Sequence, residues 1–336
     1  MPKLICSAVL ASLLLGGFFV GSASAQSKKL TITAAEMYAV PAGNDLEALQ
    51  TAFIRLISYK PMSPKELELH KAKFGPALQG ICQKIVATDR DPQSVLHKAA
   101  RHMLVTLRMD ELIQPGASDD DRKVFLGKFA PYLAGLPLGE PNVTLATQFA
   151  SGLEAAGSFQ LAAEAYAKLG EVFATADDAE VARGGRKLLG GARRLGLEGQ
   201  PMPLTGTTLD GQPFDIASLK GKVVLVDFWA TWCPPCVKEY PNIKKHYDAL
   251  HDQGFEVVGI SLDKDRAALE TFVAEKKVPW TILHEPESSE SSAVVEYGIF
   301  GIPRMFLIDR EGKVVSINAW GENLSRLLPM VMKQGG

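Results

Sequence analysis

Two cysteines separated by two prolines, Cys233-Pro234-Pro235-Cys236, are the residues of this chain best equipped for chemistry. Their spacing lets both sulfurs meet in one small disulfide ring. The apolar run at 222–229 reads as a buried strand and the stretch from Pro234 onward as a helix, so the pair sits where strand gives way to helix. A helix start offers unsatisfied backbone N–H groups and the positive end of its dipole. Both favour a thiolate on the first cysteine, whose pKa in such motifs falls to roughly 3.5–7.5 from ~8.5. Thiolate is the attacking species in disulfide exchange, which makes Cys233 the nucleophile and Cys236 the group that resolves the mixed disulfide. Pro234 and Pro235 stiffen the ring and withhold two N–H groups from it.

Other uses of the pair fit less well. A zinc site takes four ligands, and no second close Cys or His pair follows; His97/His102 and His246/His251 are each spaced by five. No metal is expected, and no cofactor beyond the Cys233–Cys236 couple. A purely structural disulfide in so small a ring closes little chain entropy. Cys82, alone in a helical stripe, reads as a small buried hydrophobe, the alternative being a redox partner for the pair.

The rest of the chain must position that pair. Its 336 residues predict two domains or three. Basic residues number 36 and acidic 38, a formal charge of −2, which argues against a nucleic-acid binder. With 46% hydrophobic and 22% charged residues the composition is that of a globular protein. Lys3, the apolar stretch 9–20 and Ala23-Ser24-Ala25 have the layout of a secretory signal at 1–25, and Cys6 would leave with it. An uncleaved anchor is the alternative. No later stretch reaches the roughly 18 apolar residues of a membrane helix. A soluble, extracytoplasmic protein of the periplasm is expected, in a compartment where disulfides persist.

Residues 26–195 read as all-helical. Leu46, Leu49, Phe53 and Leu56 recur at helical spacing behind Asn44, and Ser63-Pro64-Lys65-Glu66 is a capping box opening another helix. Further stripes are Leu78/Ile81/Ile85 and Leu96/Ala99/Met103/Leu107, then helices at 143–156, 159–174 and 179–195. Phe159-x-x-Ala162-x-x-x-Tyr166 resembles one helix of a tetratricopeptide-type repeat, although a stacked array needs at least ~3 units. This half is expected to bind a partner or dimerise. Gly196 to Pro203 reads as a linker. From 204 onward the pattern turns to α/β: a hairpin around Asp210-Gly211, strands at 222–229, 255–262, 305–309 and 313–317, and helices at 234–252, 266–275, 291–297 and 322–333.

Val226-Asp227-Phe228-Trp229-Ala230 followed by Trp232-Cys233-x-x-Cys236 resembles the thioredoxin superfamily. Gly221-Lys222-Val223-Val224 before the CPPC and Glu239 and Pro241 after it are similar to the exported TlpA/ResA-like thiol–disulfide oxidoreductases. Gly259-Ile260-Ser261-Leu262-Asp263, Gly301-Ile302-Pro303 and Phe306-Leu307-Ile308-Asp309 continue the likeness, over about 201–336. The resemblance implies a thioredoxin-like C-terminal domain, a mixed central sheet flanked by helices, at 204–336 behind the all-α domain. It implies a cis-proline at Pro303 beside the CxxC, with Ile302 offering backbone groups to a substrate segment. It makes Asp227 the buried acid that relays a proton to or from Cys236, since desolvation raises a carboxyl pKa toward neutrality. Trp232 would cover the disulfide, Pro241 would kink the helix, and Glu239 would modulate the cysteines or simply be solvated. Arg304 departs from the pattern, since many relatives have Thr or another small residue there; a guanidinium at that place is expected to reach the Cys233 thiolate or narrow substrate access.

The implied activity is thiol–disulfide exchange with exported protein clients, including apocytochrome c, in the reducing direction, fed by a membrane thiol-electron carrier. Two rivals stand beside it. A thiol peroxidase of the redoxin group would place Thr three residues before its peroxidatic cysteine, where this chain has Ala230. A helical partner-binding scaffold with a redox-sensing tail would make residues 26–195 the main business.

Overall fold

The computed structural model describes residues 33–285 and 292–334; the signal-like segment 1–25 lies outside the described residues. The chain divides into two compact units, Met1–Phe129 and Ala130–Gly336. This division differs from the boundary expected at 196–203, which falls inside the second unit.

The first unit holds α1 (Ala34–Met37), α2 (Leu46–Ser58), α3 (Pro64–Thr88) and α4 (Val95–Leu112); α5 (Asp119–Ala134) crosses the division. Asp45 caps α2 in place of the expected Asn44, accepting the Ala48 N–H at 3.1 Å. Ser63 caps α3 by accepting the Glu66 N–H at 3.2 Å, but the Glu66 carboxylate takes the Met62 N–H, so the box does not close. The stripe around Ile81 belongs to this same helix, which runs through Pro76. Leu49, Phe53, Leu56, Leu78, Ile81, Ile85 and Met103 make the core. Cys82 lies fully buried among them, and burial pushes its thiol up to about 12, protonated and unreactive at neutral pH.

The second unit opens with α6 (Glu140–Ala155), α7 (Phe159–Phe173) and α8 (Ala179–Leu195). Ala162, Tyr166, Leu169 and Phe173 form the buried face of α7. Two Gly-Gly pairs in α8 cost helix propensity of about 1 kcal/mol per glycine relative to alanine. Packing explains them. A Cβ on Gly185 would stand 2.3 Å from the Ala174 nitrogen, and one on Gly190 would stand 2.1 Å from the Val295 carbonyl oxygen. Helix α8 therefore meets the segment around α11 (Ala293–Glu296) backbone against backbone.

A short hairpin, β1 (Thr205–Thr207) and β2 (Pro213–Asp215), precedes a five-stranded sheet ordered β5-β4-β3-β6-β7. Strands β3 (Val223–Trp229), β4 (Phe255–Ser261) and β5 (Thr281–His284) run parallel; β6 (Arg304–Ile308) and β7 (Val314–Ser316) are antiparallel additions. Every residue of β3 is buried, which is why its run is apolar and β-branched. Helices α9 (Pro234–Leu250), α10 (Arg266–Lys276) and α12 (Glu322–Lys333) complete this half. The architecture is the thioredoxin-like mixed sheet flanked by helices that the motifs imply, behind a helical N-terminal region. Two details differ. The edge strand β5 and the helix α5 are additional to the expected elements. The Gly/Pro-rich stretch at 196–203 is no free tether: Gly199 donates to Val314 O at 2.8 Å, Val314 donates back to Gln200 O at 2.9 Å, and Leu197 and Met202 are buried. Among the described residues no helix is long and apolar enough to cross a membrane.

Candidate active site

Strand β3 ends at Trp229, and the loop after it is clamped before the cysteines arrive. The Asp263 carboxylate accepts the Thr231 N–H at 3.0 and 3.2 Å, the Thr231 hydroxyl at 2.5 Å and the Ser261 hydroxyl at 2.8 Å. Asp263 is buried, so these bonds replace the water it has lost. Neither Thr231 nor Asp263 was expected to shape the site. The available signal was an acid placed just past the end of a buried strand.

Cys233 then caps α9 with its own sulfur, accepting the Cys236 N–H at 3.3 Å. Because the first two helical residues are proline, this is the first N–H the helix can offer. The two cysteines are joined as a disulfide with Cα atoms 5.3 Å apart. Each is only 4% exposed, whereas Trp232 is 62% exposed and Pro234 and Pro235 are exposed as well. The ring is thus sheltered, and the residues around it form the accessible rim. Pro241 lies inside α9, which continues to Leu250. The Ile302–Pro303 bond is cis, at the start of β6, and both residues are half-buried.

Asp227 pairs in register with Met305 on one side and Gly259 on the other. Together with Cys236, Trp229, Tyr240, Phe272 and Trp280 it lines a narrow cleft with room for about a single water. Its Oδ1 is buried with no hydrogen-bond partner among the described residues. Burial, reinforced by the charge of Glu239, raises its carboxyl to about 8, so it holds a proton at neutral pH and can surrender it. Glu239 itself accepts the Gly321 N–H at 2.9 Å and the Asn242 side-chain amide at 2.6 Å. It ties α9 to the turn before α12 while setting the charge that Asp227 feels.

Arg304 does not follow the expectation of a guanidinium turned to the Cys233 thiolate. Its Nη1 lies 3.5 Å from the Glu154 carboxylate of α6, which also forms a two-pronged pair with Arg194 of α8 at 2.7 and 2.9 Å. A half-buried carboxylate attracts the nearest cation, and here that carboxylate comes from the helices. Burial alone would raise Glu154, but the hydrogen bonds and charge of Arg194, with Arg304 and the Tyr166 hydroxyl, outweigh it and leave the carboxyl below its ordinary value. The structure therefore brings Cys233, Cys236 and Asp227 together, sets Glu239 behind them, and engages Arg304 elsewhere.

The Redoxin family profile matches residues 197–326. Thiol-disulfide oxidoreductase ResA of Bacillus thuringiensis subsp. konkukian is 31% identical over 109 residues, covering 32% of this chain and 61% of the relative. ResA of Bacillus subtilis is 32% identical over 108 residues, covering 32% and 59%. The chain thus spans about three fifths of the length of these curated relatives. Among solved structures, the thioredoxin domain of a thiol-disulfide oxidoreductase from Bacteroides vulgatus is 32% identical, covering 40% of this chain and 97% of that one, at a TM-score of 0.37.

Proposed function

From the premise that residues 197–326 are a TlpA/ResA-like segment of the thioredoxin superfamily, we propose that the protein is an exported thiol–disulfide oxidoreductase working as a reductant. One observation carries the reading: a sheltered Cys233–Cys236 pair at a helix start shares its cleft with a buried carboxyl, Asp227, whose Oδ1 has no partner among the described residues. In the reduced state the Cys233 thiolate attacks one sulfur of a client disulfide. A Cys233–client bond forms, the client S–S bond breaks, and the departing client sulfur takes up a proton. Asp227 first surrenders to solvent the proton it holds at neutral pH, and its carboxylate then accepts the proton of Cys236. The Cys236 thiolate then attacks Sγ of Cys233, closing the ring and releasing the second client sulfur. Two electrons pass from the dithiol to the client. The pair is its own redox group, and a membrane thiol carrier restores the dithiol.

Export is supported by the signal-like segment 1–25, and exported proteins with reducible disulfides, apocytochrome c among them, are the clients this reading implies. The test divides labour between the sulfurs. Cys233→Ser should abolish insulin reduction, and Cys236→Ser should attack but stall as mixed disulfides visible on a non-reducing gel. Normal turnover by Cys236→Ser, or alkylation of Cys236 ahead of Cys233 in the reduced protein, would reverse the assignment.

A further inference from the structure

Beside the cis-proline lies a cavity of about 500 Å³, lined by Phe159, Tyr166, Arg194, Phe300 and Arg304 along with Glu154. Its volume is that of a ligand pocket. Three charges are built into its wall: Arg194 at 1% side-chain exposure, Glu154 at 14% and Arg304 at 25%. Two guanidiniums against one carboxylate leave a surplus positive charge in a sheltered place. Glu198, the other acid of the wall, is exposed and solvated.

The surplus has donors to spare. Arg194 gives both terminal nitrogens to Glu154, and its buried Nε has no acceptor among the described residues. Arg304 makes a single long contact to Glu154 at 3.5 Å, leaving most of its fork unengaged among the described residues. The apolar part of the wall is equally defined. Phe300 stacks on Tyr166 at 5.4 Å between centroids, and Phe159 is 58% exposed.

Position says what would come here. Phe300 and Arg304 bracket Gly301-Ile302-Pro303, each two residues from Ile302, a span of about 7 Å at most along an extended chain. A client segment laid along Ile302 reaches the cavity with its next few residues. Resting on the oxidoreductase reading, we propose that this cavity docks an acidic segment of the client polypeptide, its carboxylate taken by Arg304 and its apolar neighbour laid against Phe159 and Phe300. A carboxylate matches the planar guanidinium fork in a way that a neutral amide does not. The helices α6–α8 thereby act as a client-selecting wall for the dithiol.

The test uses the full reduced chain and two synthetic peptide disulfides, alike except for Asp and Glu or Asn and Gln in the residues flanking the cysteine. Wild type should reduce the acidic peptide with a KM about fivefold lower, a gap that narrows in high salt. Arg304→Gln should erase the gap and Arg304→Lys should retain part of it. Cysteine-free versions of both peptides, followed by fluorescence anisotropy, read docking without exchange, so inactivity toward every disulfide would sink the oxidoreductase reading and leave the docking measurement standing. Equal affinity for acidic and neutral peptides, or an Arg304→Gln variant that keeps the full preference, overturns the site. Competition by succinate as strong as that of the peptide would make it a small-carboxylate pocket and overturn the client assignment.

Discussion

The cleft behind the disulfide and the cavity beside the cis-proline each hold a sheltered carboxyl group, the buried Asp227 in one and the half-buried Glu154 in the other. Asp227 has an apolar and aromatic surround, an Oδ1 without a partner among the described residues and another acid nearby, and its carboxyl rises to about 8. Glu154 has two arginines and a tyrosine hydroxyl, and its carboxyl falls below its ordinary value. Burial acts in the same direction on both. The difference is the partner, and it turns one acid into a proton carrier and the other into a permanent charge holding three elements together.

The contrast gives opposite signs for stability. Glu154→Gln would strand a charged Arg194 in the interior, and a loss of about 3–5 kcal/mol is expected from urea unfolding at pH 7. With its folded value lowered, Glu154 contributes above its ordinary 4.5, and the contribution is lost as pH falls through the folded value, so variant and wild type should converge in acid. A Glu154→Gln protein as stable as wild type at pH 7 would mean that packing, and not charge, holds the network.

Asp227→Asn should do the reverse. The folded chain keeps a proton that the unfolded chain loses near 4, so wild-type stability falls as pH climbs from about 4 toward 8. Over three of those pH units the removed penalty amounts to at most about 4 kcal/mol at ~1.4 kcal/mol per unit. The variant should be more stable at pH 7, level with wild type near pH 4, and slower in resolving mixed disulfides by about 10- to 100-fold. Parallel stability profiles across pH 4–8 would show that Asp227 is ionised in the folded protein.

A smaller effect tests whether the two sites are separate. Gly190 and Arg194 lie one turn apart on α8, and a methyl group on Gly190 would collide with the Val295 carbonyl and the Gly298 nitrogen. Gly190→Ala should cost about 1–3 kcal/mol through forced backbone shifts. It should weaken acidic-peptide docking while leaving the pH profile of Cys236 resolution in place. A shifted profile would tie Asp227 to the helices after all.

What could be read from sequence follows the range of the interaction. Cys233, Cys236 and the helix start are local, and the strand-to-helix change around them is visible in a dozen residues. Pro303 was reachable through its motif. The contact of Arg304 with Glu154 was out of reach because that partner is 150 residues away and sits in a segment whose pattern says only helix. The 196–203 stretch has the composition of a tether, and glycine and proline look the same whether they release a chain or bend it along a sheet edge. The Gly-Gly pairs of α8 were in view, but nothing local says which backbone they admit.

Gly298 completes that last contact: a Cβ there would stand 2.1 Å from the nitrogen of Gly191, just as one on Gly190 would strike Gly298. A side chain at either position forces the other segment's main chain to move, because each glycine is bare to make room for its counterpart's backbone. For recombination between relatives the consequence is direct. A thioredoxin-like half carrying a side chain in place of Gly298 would press it into the main chain of Gly190 and Gly191 and seat poorly on these helices. A crossover at the glycines and prolines of 196–203 would separate the two stretches and cut through the pairing with β7 as well.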